Sequence, residues 1–488
     1  MKRSIFLFLF ACVCLGLNAQ VWQVYNTANS DINGNTVLAV ATDKKNAKWI
    51  GTSEGLSKLS GKSWTDYSMF NKKLKGEFVN CLTVDNGNVL WIGTDNFGVV
   101  EFDGTHWKEH VNETRRLKMK FIRTIAIDEN DVKWIGVTLG GLVRYDNKNW
   151  ELLSTKNSEL LSDFILCITL DKEGNKWIGT NAGLSVFDGS AWKNYTPKNS
   201  PLPDNIVPAV AIDRKGVKWI ATLGGLCSFD GKYWQVYNTR NSRIPSNQVN
   251  SLAFDKNGVL WLTTDKGVTA FDGKHWVTYT TKNSPLPSDV IQNITIDNQN
   301  NKWFGTDFNG LTCFSGFTIS GRVVNDFGEG MKDVTVKAGT QTVKTDADGN
   351  YRIDVKNGTT LSVKPVIDME YTPAEHAFSE VSSFQLGKNF VVTTPEKPSE
   401  AKIGIISHLD EGYITVSFEG VSAIVEILDS NGESVEKIDQ YKKGSRIEIP
   451  RDIRKNPFHV AVKTKKGVRS IKLTPEGKKA SANGNFKK

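Results

Sequence analysis

Fourteen tryptophans fall into two columns that recur at a fixed spacing along most of the chain. Within each column, successive tryptophans lie 42 or 43 residues apart. The columns are Trp49, Trp91, Trp134, Trp177, Trp219, Trp261 and Trp303, and Trp22, Trp64, Trp107, Trp150, Trp192, Trp234 and Trp276. A period in this range indicates supersecondary units that bury their faces against one another, so the sequence predicts a repeat architecture.

Each repeat contains four short apolar stretches separated by turn residues. In the copy from Cys167 to Tyr195 these are CITLD, KWIGT, GLSVF and AWKNY, and the Asp and Gly residues between them suit tight hairpins. Seven such antiparallel units predict a β-propeller. The sequence after residue 19 starts with an isolated fourth strand, VWQVYNT, and the last repeat stops after its third, GLTCFSG. We therefore predict a seven-bladed β-propeller over residues 20–316, closed by the N-terminal strand.

The repeat also resembles a known family. The segment WIGTNAGLSVFDGSAWKNYTPKNSPLPDNIV (177–207) is similar to the regulator-propeller repeats of exported sensor regions in Bacteroidetes hybrid two-component proteins, and the resemblance covers roughly residues 21–316. It implies a propeller with a sensor-like role. Those sensors typically continue into a membrane helix and a histidine kinase. This sequence contains neither, so we expect no direct phosphosignalling.

After residue 316 the period ends and alternating apolar and polar residues predict two small β-sandwich domains, which makes the whole chain all-β. Residues 317–394 resemble the carboxypeptidase regulatory-like domain, a transthyretin-like sandwich, through GRV (321–323), VTV (334–336) and TDADGNY (345–351). That resemblance implies a spacer or attachment module. We expect a linker at 395–400 and an immunoglobulin-like sandwich at 401–474, which faintly resembles a Bacteroidetes secretion tail. A basic disordered tail is expected at 475–488.

The N-terminus predicts export. Lys2 and Arg3 precede an apolar run that ends in Asn18-Ala19, which is typical of a signal peptide over residues 1–19. Cys12 leaves open a lipid attachment site, although it lies within the apolar run. No later stretch is apolar enough to span a membrane. We therefore expect a periplasmic, cell-surface or secreted protein.

The net charge of +8 does not indicate a nucleic-acid partner. From Lys463 onward the chain has nine Lys or Arg and one acidic residue, Glu476, so that this end alone carries 9 − 1 = +8. The remainder is balanced, and the basic end lacks interleaved aromatic residues.

Four cysteines follow the expected cleavage site: Cys81, Cys167, Cys227 and Cys313. An even number in an exported chain permits two disulfides. However, Cys81 and Cys167 occupy a strand position where other copies have small residues such as Ala39 and Ser251. This pattern favours buried free thiols.

The sequence offers no catalytic, metal or cofactor motif. The seven aspartates six residues before the first-column tryptophans could form a ring of carboxylates, but their place beside a turn favours a hairpin role. TDADGNY lacks the spacing of a calcium loop, and the six histidines lack metal-ligand spacing. We expect a protein without enzymatic activity, metal or cofactor.

Candidate binding residues come from the connections that vary among the repeats. The links between second and third strands read SE, DNF, TLG, NA, LG, DK and DFN, whereas the turns at the opposite end are nearly constant. Binding usually resides in such loops. We select Phe97 and Phe308 as stacking residues, and Arg115 and Arg116, in the long connection NETRRLKMKF, as anion contacts.

These observations predict an exported, non-enzymatic propeller that binds a glycan or a protein at its variable loops, with possible envelope attachment through the C-terminal domains. The glycan part rests on the family resemblance. Two alternatives remain at this stage. One is an extracellular polysaccharide-acting enzyme, which carboxylates converging on the central channel would favour. The other is a structural or assembly component of the cell envelope.

Overall fold

The computed structural model describes residues 21–69, 71, 74–393, 404–408, 413–417, 423–430, 434–442, 445–450, 456–464 and 467–473. The expected signal peptide, Cys12, the 395–400 linker and the 475–488 tail lie outside the described residues. Within them, the regular secondary structure is almost entirely β-strand, which confirms the predicted all-β class.

The first 28 strands form seven four-stranded antiparallel sheets within the described residues, here called blades 1–7. Blade 7 consists of β26, β27, β28 and β1, and blades 1–6 take four consecutive strands each from β2 onward. The strands of blades 1–3, with β1, are β1 (Trp22–Tyr25), β2 (Val37–Thr42), β3 (Lys48–Thr52), β4 (Gly55–Ser60), β5 (Ser63–Asp66), β6 (Val79–Val84), β7 (Leu90–Thr94), β8 (Val99–Phe102), β9 (Trp107–Glu109), β10 (Ile122–Ile127), β11 (Lys133–Val137), β12 (Gly141–Tyr145) and β13 (Trp150–Leu153). Those of blades 4–7 are β14 (Ile165–Leu170), β15 (Lys176–Thr180), β16 (Leu184–Phe187), β17 (Trp192–Tyr195), β18 (Ala209–Ile212), β19 (Lys218–Thr222), β20 (Gly225–Phe229), β21 (Trp234–Tyr237), β22 (Val249–Phe254), β23 (Leu260–Thr264), β24 (Gly267–Phe271), β25 (Trp276–Tyr279), β26 (Ile291–Ile296), β27 (Lys302–Thr306) and β28 (Leu311–Phe314).

The blades close into a ring in the way that the phasing of the repeat predicts. Strand β1 pairs antiparallel with β28, with Trp22 opposite Phe314 and Tyr25 opposite Leu311. Blade 7 also contacts blade 1, since Thr295 Oγ1 donates a hydrogen bond of 2.7 Å to the Val40 carbonyl. The same contact joins consecutive blades elsewhere in the ring, from Thr169 to Val210. The first and last blades are therefore neighbours, and the fold is a β-propeller.

The aspartate column has the hairpin role predicted for it. In blade 4, Asp171 Oδ1 accepts a hydrogen bond of 2.8 Å from the Asn175 backbone N–H, and Oδ2 accepts one of 2.8 Å from Trp177 Nε1. The next blade adds a contact that the repeat pattern did not reveal. Lys218 of blade 5 places its Nζ 3.7 Å from Asp171 and 5.1 Å from the centre of the Trp177 ring. Each such unit combines a turn, a buried indole and a cation from the following blade.

Two blades depart from this arrangement because they have leucine where the others have lysine. Leu90 of blade 2 cannot reach Asp43, and Lys58 of blade 1 takes its place, with Nζ 3.6 Å from Asp43 and 4.3 Å from the Trp49 ring centre. Leu260 of blade 6 has no such substitute, and the Nε1 of Trp219 lacks a hydrogen-bond partner within the described part of the chain.

Strands β29–β36 follow the propeller and form two four-stranded sheets, in the orders β32-β29-β36-β34 and β31-β30-β33-β35. They are β29 (Gly316–Asn325), β30 (Thr335–Ala338), β31 (Gln341–Lys344), β32 (Asn350–Lys356), β33 (Thr359–Val366), β34 (Tyr371–Thr372), β35 (His376–Val381) and β36 (Phe390–Val392). We call this part the middle module. Its buried core is continuous with that of blades 6 and 7, because Phe317 and Phe384 share one cluster with Trp22, Trp261 and Phe314.

Hydrogen bonds join the propeller to the middle module at the closing strand. Trp22 Nε1 donates to Asp354 Oδ2 over 2.9 Å, and Thr318 Oγ1 donates to Asp354 Oδ1 over 2.6 Å. The hydroxyl groups of Tyr279 and Thr318 lie 2.5 Å apart. The same aspartate therefore holds both the N-terminal strand of the ring and the first strand of the middle module.

The remaining strands form a three-stranded sheet, β37-β38-β41, and a four-stranded sheet, β40-β39-β42-β43, among the described residues. They are β37 (Gly404–His408), β38 (Tyr413–Ser417), β39 (Ala423–Leu428), β40 (Ser434–Tyr441), β41 (Arg446–Glu448), β42 (Phe458–Thr464) and β43 (Gly467–Leu473). His459 on β42 is 1% exposed, and neither ring nitrogen has a hydrogen-bond partner there. Burial, aided by Lys472, lowers the pKa of His459 to about 4.

We predict that His459 makes stability fall in mild acid. Its folded pKa lies below the unfolded value of about 6.5, so the unfolded chain binds the extra proton first and stability is lost as the pH falls from 6.5 to 4. Through this linkage, the free energy of unfolding should fall by about 3 kcal/mol between pH 7 and pH 4. Urea unfolding of the full chain and of His459→Leu across this range measures it. If the free energy of unfolding depends on pH in the same way in both proteins, the prediction is wrong.

Candidate functional site

The variable connections between second and third strands lie at one end of the propeller together with the starts of the first strands. We call this end the loop face. It comprises the connections 53–54, 95–97, 138–140, 181–182, 223–224, 265–266 and 307–309. Backbone hydrogen bonds link neighbouring blades here: the Asp95 carbonyl of blade 2 accepts from Phe121 N–H over 2.9 Å, and the Phe121 carbonyl accepts from Thr138 N–H over 3.0 Å. The first of these bonds joins blades 2 and 3, and the second holds the Thr138 loop of blade 3 to the start of its first strand.

Phe97 projects from a tightly held loop. The buried carboxylate of Glu77 accepts two hydrogen bonds from Asn96, one of 2.6 Å from its backbone and one of 3.1 Å from its side chain. Phe97 N–H donates to Thr94 Oγ1 over 3.0 Å. The ring itself is 38% exposed. Because the backbone is fixed on both sides, little conformational entropy would be lost when a ligand stacks on this ring.

Arg115 and Arg116 lie beside that loop on a short helix, α1 (Val111–Arg116), where the sequence predicted only a connection. The helix forms because Leu117 and Met119, just beyond it, are buried in the core between blades 2 and 3. It packs closely on Gly98, where an added Cβ would lie 2.2 Å from Thr114 Oγ1. Both arginines are exposed, and their helix packs through Thr114 on Gly98, the residue after Phe97.

Phe308 lies on the same face but on blade 7, separated from Phe97 by blade 1. It is 77% exposed. Its loop is fixed by Gln292 Nε2, which donates to Asp307 Oδ2 over 2.9 Å, and by Thr36 of blade 1, which donates to the Asp307 carbonyl. The loop of Phe308 is thus also held by hydrogen bonds, but Phe308 lies apart from Phe97, Arg115 and Arg116.

Sequence reasoning missed several other apolar residues at this end of the propeller. Large exposed side chains also occur at Met69, Phe78, Phe121, Leu139 and Leu223, with exposed fractions from 38% to 76%. Phe78 and Phe121 occupy the residue just before a first strand, and Leu139 and Leu223 share the connection that holds Phe97 and Phe308. The sequence contained a signal for them: a large apolar residue at a loop position that varies among the repeats is not needed to hold the scaffold together.

The segment that contains α1 is also basic. Residues 111–123 hold Arg115, Arg116, Lys118, Lys120 and Arg123 against a single acid, Glu113. Arg123 stands at the bulge of β10, near the mouth of the central channel, and is exposed. Aromatic side chains and uncompensated positive charge therefore lie together on blades 2 and 3.

Several other predicted features have clear positions. Cys81, Cys167, Cys227 and Cys313 are free thiols, and burial raises the pKa of Cys81, Cys167 and Cys313 to about 12. His110 is buried with its Nε2 2.5 Å from Glu101 Oε1, whereas His106 is exposed. Within the described ranges, no three His, Cys, Asp or Glu side chains are grouped to hold a metal ion. No helix of that part of the chain is long and apolar enough to cross a membrane.

Comparisons with known proteins agree with the fold. A sequence model of the family described as "Two component regulator propeller" matches residues 73–96 and 243–266. No curated protein matches the sequence. Among solved structures, the extracellular domain of the hybrid two-component system BT3049 from B. thetaiotaomicron superposes with a TM-score of 0.54 at 17% identity, over 93% of this chain and 57% of that one.

The extracellular domain of the hybrid system BT4673 from the same organism gives a TM-score of 0.52 at 18% identity, over 93% of this chain and 66% of that one. The chain therefore spans less than two thirds of the length of either structure. At this identity the likeness concerns the fold alone, and it supports the β-propeller.

Proposed function

We propose that this chain is an exported, non-enzymatic binding protein with a sensor-like or surface-display role, whose ligand binds at the loop face. The observation that carries the proposal is the exposure of large apolar side chains in the second-to-third-strand connection of four of the seven blades, at Phe97, Leu139, Leu223 and Phe308. Large apolar side chains exposed in the variable loops of a rigid scaffold point to a binding surface. Loops that are held by hydrogen bonds on a rigid ring give such a site a fixed shape.

The ligand is a glycan or a protein, and the basic segment beside Phe97 favours an anionic one. Arg115, Arg116 and Arg123 supply charge, while Phe97 and Phe121 supply flat apolar surface for a sugar ring or an apolar side chain. The family resemblance supports the glycan, the sensor-like role and the export. The two C-terminal sandwich domains would serve as spacers or attachment modules.

Binding rather than catalysis is favoured by how three acidic groups of the loop face are used. The Asp95 carboxylate accepts a hydrogen bond from Asn80, the Asp307 carboxylate from Gln292, and the Glu77 carboxylate from Asn96. Each of these carboxylates holds a loop in place. A general acid or base would instead face the ligand.

The test is a binding screen followed by matched substitutions. Residues 20–488 are screened against acidic and neutral glycans and against envelope protein extract, and the ligand found is titrated by calorimetry. We expect Phe97→Ala/Phe308→Ala and Arg115→Gln/Arg116→Gln each to weaken binding at least about tenfold, which is 1.4 kcal/mol. Tyr233→Ala is the control, since Tyr233 is 65% exposed in a turn at the opposite end of its blade. Equal losses in all three variants, or turnover of the ligand, would refute the proposal.

A further inference from the structure

A cleft of about 840 Å³ lies between the outer strand of blade 6 and the middle module. One wall includes Trp276–Thr278 of β25, and the other includes Ser320–Arg322 of β29 and Asn350–Arg352 of β32. Its volume is in the range that accommodates small-molecule and oligosaccharide ligands. The cleft is remote from Phe97 and Phe308, so it is a feature separate from the loop face. We call it the basic cleft.

The charges that line the basic cleft are strongly unbalanced. Its lining residues include five cations, Arg243, Lys274, Arg322, Lys344 and Arg352, and one carboxylate, Asp346. That carboxylate is occupied within its own turn, where Oδ1 accepts from Asn350 N–H over 2.8 Å and Oδ2 from Asn350 Nδ2 over 3.0 Å. Among the described residues, no carboxylate forms an ion pair with Arg243, Arg322 or Lys344. Arg352 lies near a carboxylate outside the lining, with its Nε 3.7 Å from Asp354 Oδ1. Within the described part of the chain, the unpaired positive charge of the cleft therefore lies at Arg243, Arg322 and Lys344.

Two of the arginines are held in place mainly by neutral oxygen atoms. The Asp348 carbonyl accepts from Arg322 Nε over 3.1 Å and from Arg322 Nη2 over 3.0 Å. Arg352 Nη1 donates to the Thr278 carbonyl over 3.2 Å and to Asn283 Oδ1 over 3.1 Å. A carbonyl orients a guanidinium group without cancelling its charge. Both arginines are thereby positioned before any ligand arrives, which lowers the entropy lost on binding.

Arg243 is not required by the repeat. It stands in the fourth-to-first connection NTRNSRIPSN, and the equivalent positions of the matching connections hold an acid or a proline: Asp31, Glu159, Pro201 and Pro285. Among these copies only Arg243 is a cation, and it lines the basic cleft, which the connection of Pro285 also reaches through Asn283. Since the ring closes with other residues at this position, the charge of Arg243 serves the cleft and not the scaffold.

The neutral residues of the cleft suit a carbohydrate. Trp276 is half-buried in its wall, with Phe271 stacked behind it at a centroid distance of 3.9 Å. Asn241, Asn283 and Asn389 line the same space, and their amides hold the surrounding loops in place. Asn241 Nδ2 donates to the Val236 carbonyl over 2.9 Å, Asn283 Nδ2 donates to the Thr278 carbonyl over 3.1 Å, and Asn389 Oδ1 accepts from Arg322 N–H over 2.7 Å. A partly exposed indole packs against the C–H face of a sugar ring. Cations in fixed positions pair with carboxylate or sulfate groups.

We propose that the basic cleft is a second binding site, specific for an acidic oligosaccharide. Arg243, Arg322 and Lys344 bind its carboxylate or sulfate groups, and a sugar ring lies against Trp276. The site is formed jointly by the propeller and the middle module, so that its occupant would hold the two parts together.

The proposal is tested by calorimetry on residues 20–488 with four probes: an oligogalacturonate tetramer, a sulfated heparin tetrasaccharide, neutral maltotetraose and hexaglutamate. We expect one or both acidic sugars to bind, with an affinity that falls as salt is raised. Arg243→Gln/Lys344→Gln should weaken that binding at least tenfold. Both side chains are exposed, so the fold should be retained. Lys156→Gln/Lys198→Gln is the matched control, because it removes two exposed cations from the same connections of other blades.

The outcomes separate this site from its alternatives. Loss of binding only in the cleft variant supports the proposal, and retention in Phe97→Ala/Phe308→Ala shows that the site is distinct from the loop face. Binding within twofold of wild type in Arg243→Gln/Lys344→Gln overturns it, as does an equal loss in the control pair, which would indicate nonspecific attraction. Stronger binding of hexaglutamate or maltotetraose than of both acidic sugars also overturns it.

Discussion

Deletion of residues 20–28 is expected to destabilise the whole propeller by at least about 4 kcal/mol, with a fall of roughly 10 °C in the thermal midpoint. The deletion removes β1, whose Trp22 is 4% exposed and packs against Phe314 at a centroid distance of 4.5 Å and against Tyr279 at 5.3 Å. It also leaves β28 unpaired and takes the Trp22 Nε1 donor away from Asp354. Because β1 joins the first blade to the last, the loss should affect every blade.

Thermal unfolding of residues 20–488 and 29–488, followed by tryptophan fluorescence, measures this effect. The control is Trp192→Ala, which removes the tryptophan at the same repeat position of blade 4, where the side chain is only half-buried. We expect less than half the loss for the control. If the thermal midpoint is unchanged and amide hydrogen exchange becomes faster only in β26–β28, the ring behaves as an open stack of repeats.

Most of the fold could be predicted from the sequence because the repeat appears seven times. Tryptophan spacing and turn residues predict repeated four-stranded units, and the split of the last repeat between β1 and β28 predicts a closed ring. The pairing of β1 with β28 agrees with closure. Contacts that occur once could not be predicted in this way. Trp22 looks like any member of its column, yet it is buried because the middle module covers it, and Asp354 and Thr318 carry no periodic signal.

The candidate site was predicted only in outline. Variation among the loops located the face, and Phe97 and Phe308 proved to be exposed there. The helix α1 was not expected, because its buried residues, Leu117 and Met119, lie beyond its end and show no helical period. The basic cleft could not be predicted from the sequence for a different reason. Arg243 belongs to the propeller and Lys344 to β31 of the middle module, and only the packing of the two parts places them on one cavity.

The second large effect is expected at Lys302 of blade 7, a completely buried cation. Its Nζ lies 3.4 Å from Asp255, and both side chains have no solvent exposure. Burial lowers the pKa of Lys302, and the negative charge of Asp255 opposes that shift. The ammonium group also lies 5.4 Å from the ring centre of Phe384 in the middle module. Removing this lysine would leave a buried carboxylate without its cation at the junction of blade 6, blade 7 and the middle module.

Lys302→Ala should therefore destabilise the chain by about 3 to 5 kcal/mol, the range for breaking one partner of a buried ion pair. Lys302→Leu tests whether charge or volume dominates, since leucine occupies this position in blades 2 and 6 as Leu90 and Leu260. If the unpaired Asp255 is responsible, Lys302→Leu stays destabilising and Asp255→Asn/Lys302→Leu recovers part of the loss in a double-mutant cycle. Lys218→Ala is the control, because its partner is 3.7 Å away and Lys218 is 14% exposed, and its effect should be less than half as large. Chemical unfolding of these four variants and of Asp255→Asn, which completes the cycle, decides between the two explanations. A Lys302→Leu protein as stable as wild type would show that the lysine acts only by filling space, and that the contact between blades 6 and 7 needs no buried cation.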